Sequence, residues 1–256
     1  MEAYFIDQTP LRVKKPQHPI QLFTENTPNG KRVQILLEEL HEAVDLDFET
    51  QLIDLEADEQ KKDWFLALNP AGRIPVLIDN SIPGGPISIM ESAAILLYLQ
   101  ENHDANNFFG FSSAHERSQV QQWLFMWHSA ARLHGLTRAF MNDGSSDSTT
   151  AGRLRQRMLP IYTLIEDHLS GKYRSSGGGR EYLAGDGQGK YSIADIGAWP
   201  HVRSWKGLGL TENEMHQFPC LLAWIERIEA RPAVQRGISD EYYSSEVNPA
   251  LVAKSL

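Results

Sequence analysis

The apolar periodicity of the chain changes near residue 104, and this change constrains the possible fold more than any other sequence feature. Before residue 104, short apolar stretches alternate with segments whose apolar residues recur every three or four positions. After it, only the helical recurrence continues. The mixed pattern is typical of helices packed on a sheet, and the helical pattern alone is typical of a bundle. The sequence therefore predicts an α/β half followed by an all-α half.

The first half has strand and helix patterns in the order βαβαββα. A turn rich in proline and glycine separates the last two strand patterns, which predicts an antiparallel hairpin with an enlarged loop. The predicted strands are 19–25, 46–54, 74–79 and 87–91, and the predicted helices lie within 33–40, at 63–70 and from 92 onward.

Five segments are expected along the chain. They are an N-terminal extension on the surface, an α/β domain, a linker, a helical domain and a weakly ordered tail. Their expected bounds are 1–19, 20–103, 104–114, 115–238 and 239–256.

The second half contains two long apolar stripes, at 120–131 and 154–169, that each predict a helix. Pro160 falls inside the second stripe and is expected to kink or break that helix. The sequence SIAD at 192–195 has the spacing of a capping box, which we interpret as a folding signal. Cys220 is expected in the first turn of a late helix, as a buried thiol and not a nucleophile.

Composition excludes several classes of function. The net charge is -9, from 33 acidic and 24 basic residues, which argues against nucleic acid as the main partner. A single cysteine cannot form an internal disulfide, and this fits a reducing compartment. The histidines show no metal-ligand spacing, and no apolar run is long enough for a membrane helix. The beginning of the sequence lacks a secretory signal pattern, so we expect a cytoplasmic protein. Because the histidines lack metal-ligand spacing, we expect no bound metal.

Three short motifs each allow a structural and a chemical interpretation. TPNGKR at 27–32 is either a capped turn into a helix or a helix N-terminus that faces a thiol. Glu91 and Ser92 are either a helix cap or a clamp for an ammonium and a carboxylate. Pro75 either begins an edge strand or follows a cis peptide bond that exposes the backbone of Ile74 to a ligand. The residues alone leave all three open.

Taken together, these motifs resemble the glutathione transferase family. NPAGRIPVLID, ESAAILLYL, YSIADIGAWPHV and AWIERIEARPAV occur in the family's order, and the resemblance covers residues 20 to about 237. TPNGKR, ADIGAWP and WIERI with the following ARP resemble the branch that contains bacterial nu-class and fungal Ure2p-like transferases. The resemblance implies a thioredoxin-like N-terminal domain, a C-terminal helical bundle, a homodimer and a fungal source.

The resemblance also implies roles for individual residues. Most family members carry Tyr, Ser or Cys where the first strand meets its helix, and this chain has none there. The Ure2p-like branch uses Thr and Asn instead, so Thr27 and Asn29 are the candidate catalytic residues, as donors to the glutathione thiolate. The implied glutathione-binding residues are Gln60, Arg73, Ile74, Pro75, Glu91, Ser92 and, by a weaker match, Arg153.

The implied function is a glutathione transferase that activates the thiol for conjugation to electrophiles, for reduction of disulfides or peroxides, or for both. Glutathione is the expected co-substrate, and an electrophile, disulfide or peroxide is the expected second substrate. Residues 128–152 depart from the branch, and this segment is expected to line the second-substrate pocket. The alternative is a non-catalytic regulator that uses the fold as a binding module. The fungal regulator of this branch carries a long Asn/Gln-rich segment, whereas residues 1–19 contain two glutamines and no asparagine.

Overall fold

The computed structural model describes residues 5–142, 148–175, 177–244 and 246–247. The chain divides into two compact units. The first combines Met1–Ala105 with Pro232–Leu256, and the second is Asn106–Arg231.

A four-stranded mixed sheet forms the centre of the first unit. The order across the sheet is β2-β1-β3-β4, with β1 and β2 parallel and the other two pairs antiparallel. The strands are β1 (Ile20–Thr24), β2 (Phe48–Leu52), β3 (Val76–Asp79) and β4 (Ile87–Met90). The predicted hairpin is therefore confirmed, and every residue of β1 and β3 is buried.

Three helices complete the predicted βαβαββα order and give a thioredoxin-like domain, as expected. They are α2 (Pro28–Val44), α3 (Asp63–Leu68) and α4 (Ser92–His103). A short helix that the sequence pattern did not predict, α1 (Leu11–Lys14), lies before β1. Helix α2 begins with a proline at its first position and buries nearly every residue of its middle turns, where it packs on α4. A short 3-10 turn, Glu59–Lys61, precedes α3.

The described part of the N-terminal extension packs against the first unit and not loosely on its surface. Val13 is fully buried in a cluster that includes Phe23 and Trp64, and Phe5 and Ile6 pack against the same cluster. Apolar residues this far apart in sequence show no period, so the pattern could not predict their burial.

The C-terminal segment returns to the first unit. The last helix, α10 (Pro232–Gly237), packs on α2, and a Cβ on Gly237 would lie 2.9 Å from the Cα of Ile35. Arg236 bridges Glu38 and Glu42 at 2.6 Å and 2.7 Å. Residues 232–238 therefore belong to the first unit, which differs from the expected bound at 238, because the contacts that place them lie nearly 200 positions away in sequence.

The second unit is helical, as predicted. Helix α6 is continuous through Pro160, so the expected break is absent. The helices that follow α4 are α5 (Ala114–Asn142), α6 (Ser148–Leu169), α7 (Ile193–Val202), α8 (Glu212–Met215), α9 (Pro219–Glu229) and, within the first unit, α10 (Pro232–Gly237).

The buried carboxylate of Asp195 connects three segments of the helical unit by hydrogen bonds. Asp195 is fully buried, and its side chain accepts hydrogen bonds from the backbone N–H of Ser192 at 3.0 Å and of Leu183 at 2.9 Å. The indole N–H of Trp224 donates to it as well, at 2.9 Å. Burial raises the pKa of Asp195 to about 6, and these hydrogen bonds oppose that rise. The interpretation of SIAD as a folding signal is therefore confirmed.

Candidate functional site

The register of the sheet brings three of the sequence motifs to one edge. Phe23 of β1 pairs with Val76 of β3, and Val76 pairs with Met90 of β4. The carboxyl ends of β1 and β4 therefore lie beside the residue that precedes β3. The strand-to-helix junction, Pro75 and Glu91 follow directly from these positions, so the fold places them together along this edge.

The first wall of the site is the start of α2. Thr27 is the N-cap, and its hydroxyl oxygen accepts from the backbone N–H of Gly30 at 3.1 Å. This bond uses the oxygen as an acceptor and leaves the hydroxyl proton free to be donated. The structural and the chemical interpretation of Thr27 are therefore compatible.

Asn29 joins this wall to the start of α4. Its side-chain oxygen accepts from the Ser92 hydroxyl across a long contact of 3.5 Å. The amide nitrogen of Asn29 carries the two donors of that side chain, and the oxygen is the atom engaged with Ser92. The candidate thiol-binding residue and the candidate carboxylate-binding residue are thus in direct contact.

Helix α4 begins at Ser92, and the N-cap position belongs to Glu91. The Glu91 side chain makes no capping hydrogen bond, and its backbone has a φ of 69°, a left-handed conformation that is uncommon for a residue with a side chain. Ser92 is buried, whereas Glu91 is exposed. The interpretation of Ser92 as the cap is therefore wrong, because Glu91 occupies that position and Ser92 is the first residue of the helix.

The loop before β3 is fixed by a buried asparagine. Asn69 donates to the carbonyl oxygen of Arg73 at 2.7 Å and accepts from the backbone N–H of Ala71 at 3.0 Å. The Ile74–Pro75 peptide bond is cis, one of the two arrangements that the sequence left open. Arg73 is exposed on the same loop.

The 3-10 turn that contains Gln60 lies against this loop. A Cβ on Gly72 would be 2.9 Å from the carbonyl oxygen of Gln60, and the Lys61 ammonium donates to the carbonyl oxygen of Gly72 at 2.7 Å. The side-chain amide of Gln60 donates to Asp58 at 3.2 Å. Sequence reasoning did not select Lys61, although it is the cation that contacts the loop.

Two further candidates lie in the helical unit. Arg153 is exposed in the second turn of α6. Cys220 lies in the first turn of α9 and is only partly buried, whereas a buried thiol was expected. The Glu166 carboxylate accepts from its backbone N–H at 3.2 Å and from that of Leu221 at 2.8 Å. Burial and this neighbouring carboxylate raise the pKa of the Cys220 thiol, which disfavours a nucleophilic thiolate.

A recess of about 1160 Å³ lies between α5 and α6. Trp123, Met126 and Leu159 form part of its apolar lining. None of the lining residues belongs to 128–152, the segment expected to face a second substrate, and part of that segment, 143–147, lies outside the described residues.

Metal and membrane functions receive no structural support within the described ranges. In them, no three His, Cys, Asp or Glu side chains are grouped closely enough to hold a metal ion. Helices in those ranges also lack the combination of length and apolar character needed to cross a membrane.

Comparison with known proteins identifies both halves of the chain. The model of the glutathione S-transferase N-terminal domain matches residues 18–101, and that of the C-terminal domain matches residues 129–227. Disulfide-bond oxidoreductase YfcG of Escherichia coli K12 is 30% identical over 221 residues, which cover 86% of this chain and 94% of that protein.

Two solved structures have the same architecture. A glutathione transferase homolog from Lodderomyces elongisporus, with two glutathiones per subunit, is 31% identical with a TM-score of 0.74, covering 86% of this chain and 97% of its own. Glutathione transferase URE2P5 from Phanerochaete chrysosporium is 30% identical with a TM-score of 0.75, covering 86% and 93%.

Gly30 should be required where α2 meets β1. A Cβ at this position would lie 2.2 Å from the Thr24 hydroxyl oxygen and 2.5 Å from the carbonyl oxygen of Glu25. Gly30→Ala is therefore expected to lower the free energy of unfolding by about 1–3 kcal/mol, because the backbone must shift. Urea denaturation followed by tryptophan fluorescence measures this change.

The matched control is Gly135→Ala, an exposed helical position where an added Cβ meets nothing within 4 Å. It is expected to stabilise the protein by up to about 1 kcal/mol, since alanine favours a helix more than glycine does. Equal stability changes in the two variants would contradict the close approach at Gly30.

Proposed function

The chain belongs to the glutathione S-transferase family, and from that premise we propose that it is a glutathione-dependent enzyme of the Ure2p-like type. The observation that carries the proposal is the contact between Asn29 and Ser92, because it joins two helix N-termini at the sheet edge that also holds the cis proline. Helix N-termini favour anions, and glutathione presents carboxylates and, when ionised, a thiolate.

In this proposal, the tripeptide lies along the sheet edge. The Ser92 hydroxyl turns its proton from Asn29 to the carboxylate of the γ-glutamyl end, the N–H groups at the start of α4 bind the same carboxylate, and Glu91 binds the ammonium group of that end. The backbone of Ile74, before cis-Pro75, pairs with the cysteinyl residue. The glycyl carboxylate lies toward Gln60 and Arg73, where the neighbouring ammonium of Lys61 adds positive charge.

Thr27 and Asn29 stabilise the thiolate in this proposal without removing its proton by a base. Neither side chain titrates near neutral pH, but each can donate a hydrogen bond to sulfur. Donation to the charged form lowers the pKa of a bound thiol, and the α2 N-terminus adds to that effect. Arg153, in the helical unit, remains a weaker candidate for the γ-glutamyl group.

The bound thiolate supports two reactions. It can attack an electrophilic carbon and displace a leaving group, which gives a glutathione conjugate. It can also attack a disulfide, forming a mixed disulfide and releasing one thiolate; a second glutathione thiolate then releases the other and yields glutathione disulfide. Peroxide reduction likewise consumes two glutathiones and gives glutathione disulfide, an alcohol and water. A reducing compartment such as the cytoplasm maintains the glutathione that each reaction needs.

A turnover assay separates these reactions from the non-catalytic alternative. Purified protein is given glutathione with an aryl halide, a mixed disulfide or an organic peroxide in parallel. Turnover of one or more substrates supports the enzyme and identifies its reaction. Saturable glutathione binding without turnover of any of them favours a regulator or binding module.

Substituting Glu91 or Ser92 with alanine should weaken glutathione binding. Each variant loses a hydrogen bond to a charged group, a loss worth about 1.5–3 kcal/mol, which corresponds to roughly ten- to a hundred-fold in affinity. Titration calorimetry measures the dissociation constant, and thermal unfolding measures stability. Unchanged affinity with lowered stability would show that the pair serves only to start α4.

Asn29→Ala should raise the pKa of the bound glutathione thiol and reduce turnover more than binding. The reason is that the thiolate needs the donor more than the neutral thiol does. Thr27→Ala should act in the same direction but more weakly. Thiolate absorbance of the complex as a function of pH, recorded with steady-state rates, provides the measurement.

Cys220→Ser is the control for the Asn29 variant and should leave both quantities unchanged. Loss of activity in this variant without unfolding would place the nucleophile in the helical unit and refute the mechanism. If Asn29→Ala keeps the wild-type thiol pKa and rate, Asn29 is not the thiolate donor.

We also propose a homodimer, as the family resemblance implies. Helix α5 exposes Phe125 and Leu136, whose exposed fractions are 56% and 46%. They are eleven residues apart and therefore share one helical face that a second copy can cover. Light scattering at micromolar concentration should give twice the chain mass of 28.9 kDa, and a monomer mass would contradict the proposal.

A further inference from the structure

The last helix and the turn that follows it form a strap along one face of α2. This strap, residues 232–243, consists of α10 and the 3-10 turn Asp240–Tyr242. It belongs to the first unit, and its side chains of Val234 and Tyr243 are buried there. The strap is therefore packed into the unit that carries Thr27 and Asn29.

The strap contacts positions of α2 that form a single stripe. The contacted residues are Lys31, Ile35, Glu38 and Glu42. Successive members are four, three and four residues apart, and this spacing places side chains on one face of a helix. With a rise of about 1.5 Å per residue, the stripe is about 16 Å long. The strap therefore supports α2 from its first turns almost to its end.

The middle of the stripe is a buried carboxylate whose two oxygens both bind the strap. Glu38 is 3% exposed, and one of its oxygens lies 2.6 Å from Nε of Arg236. The Tyr242 hydroxyl donates to the other oxygen. Because a buried carboxylate costs free energy without such partners, Glu38 fixes the position of the strap on the helix.

One end of the strap reaches the turn of α2 that carries the candidate thiol donors. The Lys31 ammonium lies 5.4 Å from the ring centre of Tyr243, whose hydroxyl donates to the carbonyl oxygen of Gly237 at 3.1 Å. The backbone N–H of Lys31 donates to the carbonyl oxygen of Thr27 at 2.9 Å. Printed side by side, these contacts lead from the strap through Lys31 to the helix cap in two steps.

The first turn of α2 needs such support if it is to stabilise a thiolate. Helix ends fray, because the first N–H groups of a helix have no partner within it. A hydrogen bond also weakens steeply when its donor moves away or tilts. A small displacement of Thr27 and Asn29 would therefore weaken their donation to sulfur.

We propose that the strap is a positioning element of the thiol site, which holds the first turn of α2 so that Thr27 and Asn29 keep the geometry in which they donate to the glutathione thiolate. This inference rests on the proposed function, because it assigns Arg236, Tyr242 and Tyr243 a role at the same site. The strap should act on the thiolate and not on the peptide part of glutathione. In the proposed function, that part is bound at the start of α4 and along the loop before β3.

Arg236→Met tests the proposal, because it removes the ion pairs to Glu38 and Glu42 without changing α2 itself. The pKa of the bound glutathione thiol should rise by about 0.5–1 unit, which is a decrease of about three- to ten-fold in its ionisation constant. The affinity for S-methylglutathione, whose sulfur cannot ionise, should change by less than about two-fold. Thiolate absorbance at saturating glutathione as a function of pH measures the first quantity, and titration calorimetry measures the second.

Tyr242→Phe is a milder variant of the same contact, since it removes only the hydroxyl that donates to Glu38. It should raise the pKa of the bound thiol in the same direction and by less than Arg236→Met does. Its matched control is Tyr98→Phe, which also removes a hydroxyl that donates to a buried carboxylate, that of Asp79 at 2.8 Å. Asp79 pairs with Ile20 at the start of β1, the end of the strand away from the thiol site. The control should leave the thiol pKa unchanged.

The outcomes separate this inference from the proposed function. If wild-type protein does not bind glutathione saturably, or binds it with the thiol pKa of free glutathione, the proposed function itself fails. If the wild type lowers the thiol pKa and both strap variants keep the lowered value, the strap is only structural and this inference alone fails.

Two further results would also overturn the inference. One is an equal rise of the thiol pKa in Tyr98→Phe and Tyr242→Phe, because general loosening of the unit would then explain it. The other is a loss of S-methylglutathione affinity as large as the loss of thiolate ionisation. If Arg236→Met does not fold, Tyr242→Phe decides the question, and an unchanged thiol pKa in that variant contradicts the proposal.

Discussion

The candidate site depends on the close approach of α2 to the end of β1. Because Gly30 has no side chain, the first turn of the helix can lie directly against Thr24 and the Glu25 carbonyl. A Cβ at this position would overlap with both. The Thr27 hydroxyl oxygen caps the same turn by accepting a hydrogen bond from the backbone N–H of Gly30. With this junction fixed, Asn29 reaches the start of α4, and the two helix N-termini meet at one edge of the sheet. A wider junction would separate them and remove the feature on which the proposed binding of glutathione's anionic groups depends.

At this junction, a residue's role in folding and its role in chemistry can coincide. The hydroxyl oxygen of Thr27 caps the helix by accepting a hydrogen bond, and the hydroxyl proton is a candidate donor to sulfur. Glu91 differs, because it occupies the cap position without capping and in a strained backbone conformation. Backbone strain concentrates at functional sites, so this outlier favours a binding role for Glu91.

Local sequence patterns predicted most of the fold because strands and helices are encoded within a few residues. The four strands, the helix that contains residues 33–40, the helix from Ser92 and the capping box at Asp195 all follow from spacing and side-chain type. The patterns failed where a contact joins distant segments. Burial of Val13 in the first unit and the packing of Gly237 on Ile35 leave no periodic trace. The candidate site showed both behaviours: its motifs were visible in the sequence, but the contact of Asn29 with Ser92 depends on how two helices pack.

The absence of Tyr, Ser and Cys from the strand-to-helix junction also affects which chemistry the site can favour. A cysteine there would form a mixed disulfide with the protein, and a second thiol would have to resolve it. Asparagine and threonine hold a thiolate only by donated hydrogen bonds, so the sulfur that reacts always belongs to the ligand. Cys220, the single cysteine of the chain, lies in the helical unit. Its raised pKa keeps the thiol protonated and slow to exchange. Within this proposal, disulfide reduction therefore proceeds from glutathione to glutathione, and its rate is controlled by how strongly Thr27, Asn29 and the N-terminus of α2 stabilise the bound thiolate.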